Sequence, residues 1–293
     1  MNKTLWLNER RKGIGGSDAA SVMCLYKFEE EGPDGKSVRP YSYITTSYMT
    51  FLDKVGELEL EIPANLSMQV GSAMEPLILR TFEEQTGKRL LPKPEIMRHP
   101  EFPYILASLD GWTEDSVIEA KCCRWSPKWG EEGTDQIPLN YWMQCQHYLM
   151  VTGRERAELA ALLYSSEGMN FRIYNILPDY EWHEACYKRY AEFWKCVDER
   201  IAPEPFDLND LKHRFPQSIP LTRKEADENI LTSLRSLQEV KRKRAELDEQ
   251  ESALKESVVR FIEDSEAISQ NGKILATYKT TKRGTRVLSI KNF

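Results

Sequence analysis

Asp110, Glu119 and Lys121 are the residues whose types and spacing point most directly to chemistry. Two short apolar runs, 104–109 (YILASL) and 116–120 (SVIEA), flank Gly111-Trp112-Thr113-Glu114-Asp115, a pattern that predicts an antiparallel hairpin. Side chains two apart on a strand share a face, so Glu119 and Lys121 point the same way. Asp110, ending the neighbouring strand, brings a second carboxylate to that edge. Two carboxylates held close repel, and stay ionised together only beside a cation. Mg²⁺ or Mn²⁺, hard ions with oxygen ligands, meets that need, and the Ala120 carbonyl adds one more oxygen. Lys121 would then hold or activate a water for attack on a phosphodiester. The plain alternative is a turn at Asp-Gly and a solvated Glu-x-Lys ion pair. The apolar flanks Val117-Ile118 and Cys122-Cys123, where unpaired charge is costly to bury, weigh toward the metal.

Other residues extend the same chemistry. Glu75 lies in 72–86 (SAMEPLILRTFEEQT), whose apolar residues recur at helical spacing up to Gly87, a C-cap residue. With Pro76 after it, Glu75 is expected in the first turn of a helix starting near Gly71. A carboxylate there either complements the helix dipole or serves as a third carboxylate at the metal site. In a helix predicted over 139–151, Tyr141, Gln144 and Tyr148 share a face. Aromatic residues at that spacing usually belong to a core, but an amide among them needs a hydrogen-bond partner. Gln146 and His147 fall on other faces and read as solvent-facing or packing residues. Near the N-terminus, Arg10, Arg11 and Lys12 lead into GIGGSD (13–18), a loop entering a helix with Ser17 or Asp18 as its N-cap. The two arginines are either solvated or, with the hydroxyl and the backbone amides, make a phosphate pocket. The glycines do not follow the pattern of a nucleotide-binding P-loop. The cysteines at 24, 122, 123, 145, 186 and 196 form no C-x₂-C, and the four histidines no H-x₃₋₅-H, which argues against zinc or an iron–sulfur cluster. No G-x-S-x-G supports a serine hydrolase.

Positioning these residues requires a folded scaffold, and the composition provides for one. Of 293 residues, 41% are hydrophobic and 29% charged, which suits a folded protein and excludes a disordered one. No run of about 18 apolar residues is present to span a membrane, and MNKTLWLNERRK has no apolar secretory segment. Six cysteines without repeated spacing read as reduced thiols, so a cytoplasmic setting is expected. Helix, hairpin, helix, two strands (158–164 and 171–177) and an aromatic helix (181–200) make an α/β order with a central mixed sheet. Three regions follow: 1–201 as the core, 202–222 with four prolines as an extended surface connection, and 223–293 as an extension.

The extension reads as a helix over 223–268. Val240, Leu247, Leu254 and Phe261 repeat every seven residues, with Ile230, Leu237 and Val258 in a companion seam. Arg244 and Glu251 interrupt that seam, which favours a helix lying on the core or a short two-helix contact over a long coiled coil. Lys241-Arg242-Lys243-Arg244 covers a full turn and reads as a solvated face. The last 23 residues carry six Lys/Arg and no acid, so the other 270 carry −12 within a net charge of −6. They predict a basic β-hairpin suited to DNA phosphates or an acidic partner. The acidic total therefore excludes no nucleic-acid role.

Taken in order, Arg10 with GIGGSD, Gly71-Ser72-Ala73-Met74-Glu75, Leu109-Asp110-Gly111, Glu119-Ala120-Lys121 and Tyr141-Trp142-Met143-Gln144 resemble the phage lambda exonuclease family. That family includes the YqaJ viral recombinases, within the PD-(D/E)xK nucleases. The resemblance runs from about Trp6 to Arg200. It implies a restriction-endonuclease-like core, with one or two Mg²⁺ (or Mn²⁺) ions on Asp110, Glu119 and the Ala120 carbonyl, and Glu75 helping. It further implies Lys121 at the attacking water, Gln144 and Tyr141 supporting the site, and Arg10 and Ser17 on a terminal 5′-phosphate. Ungapped spacing from Ser17 favours Arg10 over Arg11. The activity implied is Mg²⁺-dependent 5′→3′ digestion of one strand of duplex DNA, leaving a 3′ overhang for a single-strand annealing partner. A homo-oligomeric ring and a phage or prophage setting in a bacterial host are implied with it. Leu109 stands where the family usually has proline, and the acidic insert at 29–40 has no counterpart. A restriction-type endonuclease on the same core is the nearest rival reading. A non-catalytic DNA-binding or docking module is the other, though a pure binder has no need of Asp110, Glu119 and Lys121 together.

Overall fold

A computed structural model describes residues 3–27, 30–31, 37–38, 45–58 and 66–291. The chain folds as two compact units, Met1–Gln217 and Ser218–Phe293.

In the first unit, helix Lys3–Arg11 (α1) leads through the glycine loop into a short helix Ala19–Val22 (α2). Two-residue strands Glu30–Glu31 (β1) and Ser37–Val38 (β2) pair antiparallel within the acidic insert, most of which lies outside the described residues. Helices Ser47–Lys54 (α3) and Leu66–Thr86 (α4) precede the strands Met97–Arg98 (β3), Leu106–Ala107 (β4), Gly111–Trp112 (β5) and Ser116–Arg124 (β6). Helix Leu139–Thr152 (α5) then connects β6 to Arg156–Ser165 (β7), followed by Gly168–Ile176 (β8), helix Tyr180–Glu199 (α6) and helix Leu208–Arg214 (α7). The main sheet has the order β5-β6-β7-β8; β6 and β7 run parallel and the outer pairs antiparallel. It is the central mixed sheet that the element order predicts.

Strand alternation divides this sheet into two packed faces. Val117, Leu159, Ala161 and Leu163 join the larger core with residues of α2, α3, α5 and α6. On the other face Ile118 and Ala160 meet Ile78 and Phe82 of α4. Glu119 and Lys121 keep the phase of Val117, so β6 aims them at the α5 side.

Several expectations need correction. The run 104–109 does not pair with 116–120. Thr113 and Ser116 close a tight turn, so only Gly111↔Ile118 and Trp112↔Val117 are opposed. The preceding residues diverge: β4 pairs with β3, and Ile105 bridges to Ile14 of the glycine loop. Gly13 permits that bridge, because a Cβ there would stand 2.4 Å from the Tyr104 carbonyl oxygen. Glu75 is not in a first turn. Helix α4 begins at Leu66 and runs through Pro76, which removes one backbone donor without ending the helix. The segment 202–222 is not extended throughout. Asp207 caps α7 by accepting from the Asn209 and Asp210 backbone N–H groups. Asp210 is buried, and accepts from the Thr46 hydroxyl (2.8 Å) and the Phe206 N–H (2.8 Å). Thr46 in turn caps α3. Gln146 and His147 are fully buried packing residues.

In the second unit, helix Glu228–Ile262 (α8) is capped by Asp227 and followed by strands Ala267–Gln270 (β9), Lys273–Thr280 (β10) and Arg286–Ile290 (β11). The expected hairpin is β10–β11, and β9 adds a third antiparallel strand on the other side of β10. Ile262 and Ala276 are buried in this unit. Arg286 stacks on the Tyr278 ring at 4.1 Å and donates to the carbonyls of Glu263, Ser265 and Tyr278. The Lys241–Arg244 run is a solvated face: Arg242 pairs with Glu239 and Glu246, and Lys243 with Glu239.

His147 yields a prediction about pH. It is enclosed between the Leu106 carbonyl, which accepts from Nε2 at 2.8 Å, and the Tyr190 hydroxyl at 3.1 Å. Burial pushes its pKa down to about 4. The unfolded chain therefore binds a proton between pH 6.5 and about 4 that the folded chain refuses, and stability falls as pH drops through that window. Burial also lowers His99 and His183, which act in the same direction. Measured by urea denaturation, wild-type stability should fall relative to that of His147→Gln by roughly 3 kcal/mol from pH 6.5 to 4, because the Gln amide can make both hydrogen bonds without titrating.

Candidate active site

Strand β6 delivers Glu119 to a position only 2% exposed, on a sheet face otherwise lined by apolar side chains. A carboxylate so placed needs compensation, and three groups supply part of it. The Lys121 ammonium pairs with Glu119 Oε1. Gln144 of α5 donates to the same oxygen at 2.8 Å, and to the Tyr148 hydroxyl at 2.9 Å. The Tyr148 hydroxyl in turn donates to the Ser108 carbonyl at 3.1 Å. A continuous chain from the Ser108 backbone to the Glu119 carboxylate thus fixes the amide's orientation. The polar member of the Tyr141–Gln144–Tyr148 face finds its partner here.

Compensation is incomplete. Glu119 Oε2 is buried and has no hydrogen-bond partner among the described residues. Burial, reinforced by the Asp110 charge, pushes Glu119 up to about 8 despite Lys121. Asp110 is also raised, first by burial and further by Glu75, against Lys121 and the Ala120 N–H. Burial disfavours the Lys121 ammonium, but Glu119 and Asp110 together outweigh it and raise its pKa. Lys121 also lies 5.0 Å from the centre of the Tyr141 ring. The position of Asp110 follows from the diverging strands. Pairing between β5 and β6 stops at Gly111↔Ile118, and the Asp110 carboxylate, not a backbone carbonyl, accepts the Ala120 N–H at 3.0 Å.

All of these groups line one cleft of about 790 Å³ in the first unit. Glu75, Asp110, Glu119, Ala120 and Lys121 are on its wall, as are Tyr141, Gln144 and Tyr148. So are Arg10 and Ser17. Glu75 accepts from Lys93 at 3.1 Å. Among the described residues no group of three or more His, Cys, Asp or Glu is placed to hold a metal ion. The donors at hand are the Asp110 and Glu119 carboxylates and the Ala120 carbonyl. An orphaned buried oxygen and two carboxylates with raised pKa values suit a hard cation.

The GIGGSD loop, whose Gly15, Gly16 and Ser17 also line the cleft, is organised by Asp18. It occupies the N-cap position of α2 but does not cap that helix. Its Oδ2 instead accepts from the Gly15 N–H (3.0 Å) and the Lys54 ammonium (2.7 Å), and its Oδ1 from Arg10 (3.0 Å). Arg10 also donates to the Ser17 hydroxyl at 2.6 Å. The Lys54 side chain is completely buried and makes a further bond to the Arg10 carbonyl. Burial alone would raise the Asp18 pKa; Lys54 and Arg10 reverse that and hold it well below the ordinary carboxylate range. Arg11 points elsewhere and pairs with Asp53 at 3.4 Å. Gly16 lets this loop approach α5, since a Cβ there would stand 2.5 Å from the Tyr148 ring. Lys54 and the organising role of Asp18 are absent from the sequence reading. The adjacency of Asp18 to the loop is the one signal that pointed toward them.

The buried Asp18–Lys54 pair carries its own prediction. Asp18→Asn leaves the Lys54 ammonium buried and unpaired, and should lower the urea-measured unfolding free energy by about 3–5 kcal/mol. Asp18→Asn with Lys54→Met should cost less than the two single changes added together.

Comparison with known proteins gives a consistent picture. Residues 5–155 match the family described as the YqaJ-like viral recombinase domain. A Bacillus subtilis (strain 168) protein described as "Uncharacterized protein YqaJ" is 33% identical over 200 residues, which cover 66% of this chain and 56% of that protein. Among solved structures, the alkaline exonuclease LHK-Exo of Laribacter hongkongensis aligns with a TM-score of 0.50 at 19% identity, covering 72% of this chain and 97% of that one. LHK-Exo in complex with dAMP aligns with the same TM-score and coverage at 20% identity. These structural likenesses show a shared fold. No helix among the described residues is long and apolar enough to cross a membrane.

Proposed function

The chain belongs to the YqaJ-like viral recombinase domain family, and from that premise we propose that it is a metal-dependent 5′→3′ exonuclease acting on linear duplex DNA. It degrades one strand and leaves a 3′ overhang for a single-strand annealing partner, acting as a homo-oligomeric ring. The observation that carries the reading is the meeting of Asp110, a partly uncompensated Glu119 and Lys121 with the Arg10–Ser17 pair on one cleft. The fold shared with an alkaline exonuclease supports it.

Asp110, Glu119 and the Ala120 carbonyl would hold Mg²⁺, with Glu75 at the edge of the site. A divalent ion there supplies Lewis-acid activation of water and neutralises charge on the phosphodiester. Lys121, kept protonated by its carboxylate neighbours, donates hydrogen bonds that orient the attacking water and meet negative charge growing on the phosphate. The Tyr141 ring steadies that ammonium. Gln144, anchored through Tyr148, keeps Glu119 Oε1 in place and leaves Oε2 facing its unmet need. Arg10 and Ser17 grip the terminal 5′-phosphate. Arg10 and Ser17 reach the cleft wall together, a guanidinium and a hydroxyl that suit an anion. Gripping the end of a strand there would set the direction of digestion.

Three substrates test this reading: linear duplex with a 5′-phosphate, linear duplex with a 5′-hydroxyl, and covalently closed circle, each with Mg²⁺ or EDTA. The linear duplexes should be degraded with Mg²⁺ only, the phosphorylated one faster, and the circle should survive. Lys121→Ala should lose activity by about 10²–10⁴-fold. Arg10→Ala should lose the preference for 5′-phosphate while still hydrolysing linear DNA. Cleavage of the circle at the linear rate would indicate an endonuclease, and full activity in Lys121→Ala would overturn the assignment of the site.

A further inference from the structure

The second unit separates its charges. Helix α8 carries seven basic and seven acidic residues, several of them paired along the helix, as Arg242 and Lys243 are with Glu239. The sheet that follows carries six Lys/Arg and no acid between Ala267 and Lys291. Its two faces differ. Tyr278 opposes Leu288 and Thr280 opposes Arg286, so these side chains share one face with Ala276. That face turns toward the end of α8: Ala276 is buried, and Arg286 covers the Tyr278 ring and reaches the Glu263 and Ser265 carbonyls. The pairs Thr277↔Ser289 and Lys279↔Val287 lie on the opposite face. Alternation from Ser289 puts Lys291 there as well. Lys279, Val287, Ser289 and Lys291 are exposed, and the β10–β11 turn adds exposed Lys282 and Arg283.

We propose that this open face and its basic turn bind the phosphate backbone of duplex DNA, a surface made by residues of the second unit alone. Charge selects a polyanion. Lys279 lies 3.7 Å from Glu266, but with side chains 61% and 75% exposed that pair is weak, and a phosphate can replace it. Ammonium groups beside the Thr277 and Ser289 hydroxyls are donors suited to phosphate oxygens. Shape selects the duplex. Single strands are held largely by stacking bases on aromatic side chains. The one aromatic residue between Ala267 and Lys291 is Tyr278, which faces the other way beneath Arg286. Lys291 lies level with Leu275, whose carbonyl accepts its N–H, so it stands about 14 Å from Lys279 on the neighbouring strand. That separation lets the two ammonium groups reach phosphates on both sides of a major groove about 12 Å wide. The inference does not rest on the nuclease reading, because backbone binding needs neither a strand end nor a metal.

Fluorescence anisotropy of the full chain with a fluorescein-labelled DNA dumbbell, a duplex closed by a loop at each end, tests it in EDTA. The probe has no strand end and no divalent ion is present, so the result is independent of digestion. The wild type should bind it, with affinity falling steeply as KCl rises. Lys279→Gln, Lys282→Gln, Arg283→Gln and Lys291→Gln combined should weaken binding by about tenfold or more and lower the slope of log affinity against log salt by about three. The turn variant Lys282→Gln with Arg283→Gln, which leaves the strands untouched, should lower that slope by about two. A variant of α8 that loses as much charge, Lys241→Gln with Lys243→Gln, Lys255→Gln and Arg260→Gln, should leave the slope nearly unchanged. Unlabelled dumbbell should displace the probe better than a single strand of equal length or poly-L-glutamate. No binding by the wild type, equal losses in the sheet and helix variants, or displacement by single strand or polyglutamate as effective as by the duplex would each overturn the proposal.

Discussion

A carboxylate on the central strand of a buried sheet is the constraint around which the first unit is arranged. Glu119 sits where Val117 and Leu159 mark an apolar environment, and only 2% of it is exposed. Each neighbour is a response to that charge. Lys121 follows from strand periodicity, since two residues on is the next side chain on the same face. Gln144 follows from α5 packing across that face, and Tyr148 and the Ser108 carbonyl follow from the need to give Gln144 a single orientation. The response stops short at Oε2. Structures rarely leave a buried carboxyl oxygen unmatched without a use for it.

The glycine loop on the cleft wall solves the same electrostatic problem with the signs reversed. Lys54 is a fully buried ammonium, made tolerable by Asp18 and the Arg10 carbonyl. Asp18 thereby ties the end of α1, the glycine loop and α3 together. The glycines serve this packing: Gly13 lets the loop lie against the 104–106 backbone, and Gly16 lets it reach the Tyr148 ring. Tyr148 thus touches both halves, bonding the amide that holds Glu119 and packing under the loop that carries Arg10. A change at Tyr148 would disturb both the Gln144 amide and the loop, although its hydroxyl bonds neither carboxylate.

The second unit follows other rules. Its sheet is small, and Arg286 organises it by stacking on Tyr278 and collecting three carbonyls. One cation of the basic tail is therefore committed to structure. Along α8, short-range ion pairs such as Arg242 with Glu239 and Glu246 support the helix by only small amounts each. Its apolar seam has no such local use.

Much of the fold was legible in the sequence because periodicity is a local property. The mixed sheet, α5, α6, α8 and the basic hairpin all follow from spacing and turn residues. Asp110, Glu119 and Lys121 stood out for the same reason: two acids and a lysine among apolar neighbours are conspicuous before any contact is known. The errors arose where a local pattern met a distant partner. The 104–109 run has strand character, but Ile14 and β3 captured it, and the Thr113–Ser116 turn limited β5 to two residues. Pro76 suggested a helix start, yet α4 already had a turn before it on which to continue. Asp207 and Asp210 turned part of a proline-rich stretch into a docked helix. By itself the sequence determined which side chains are chemically able to act and on which face of each element they lie. Only the tertiary structure decided which charges are neutralised, because that depends on burial and on partners such as Lys54 and Gln144 that lie far along the chain and meet their carboxylates only when the sheet and helices pack.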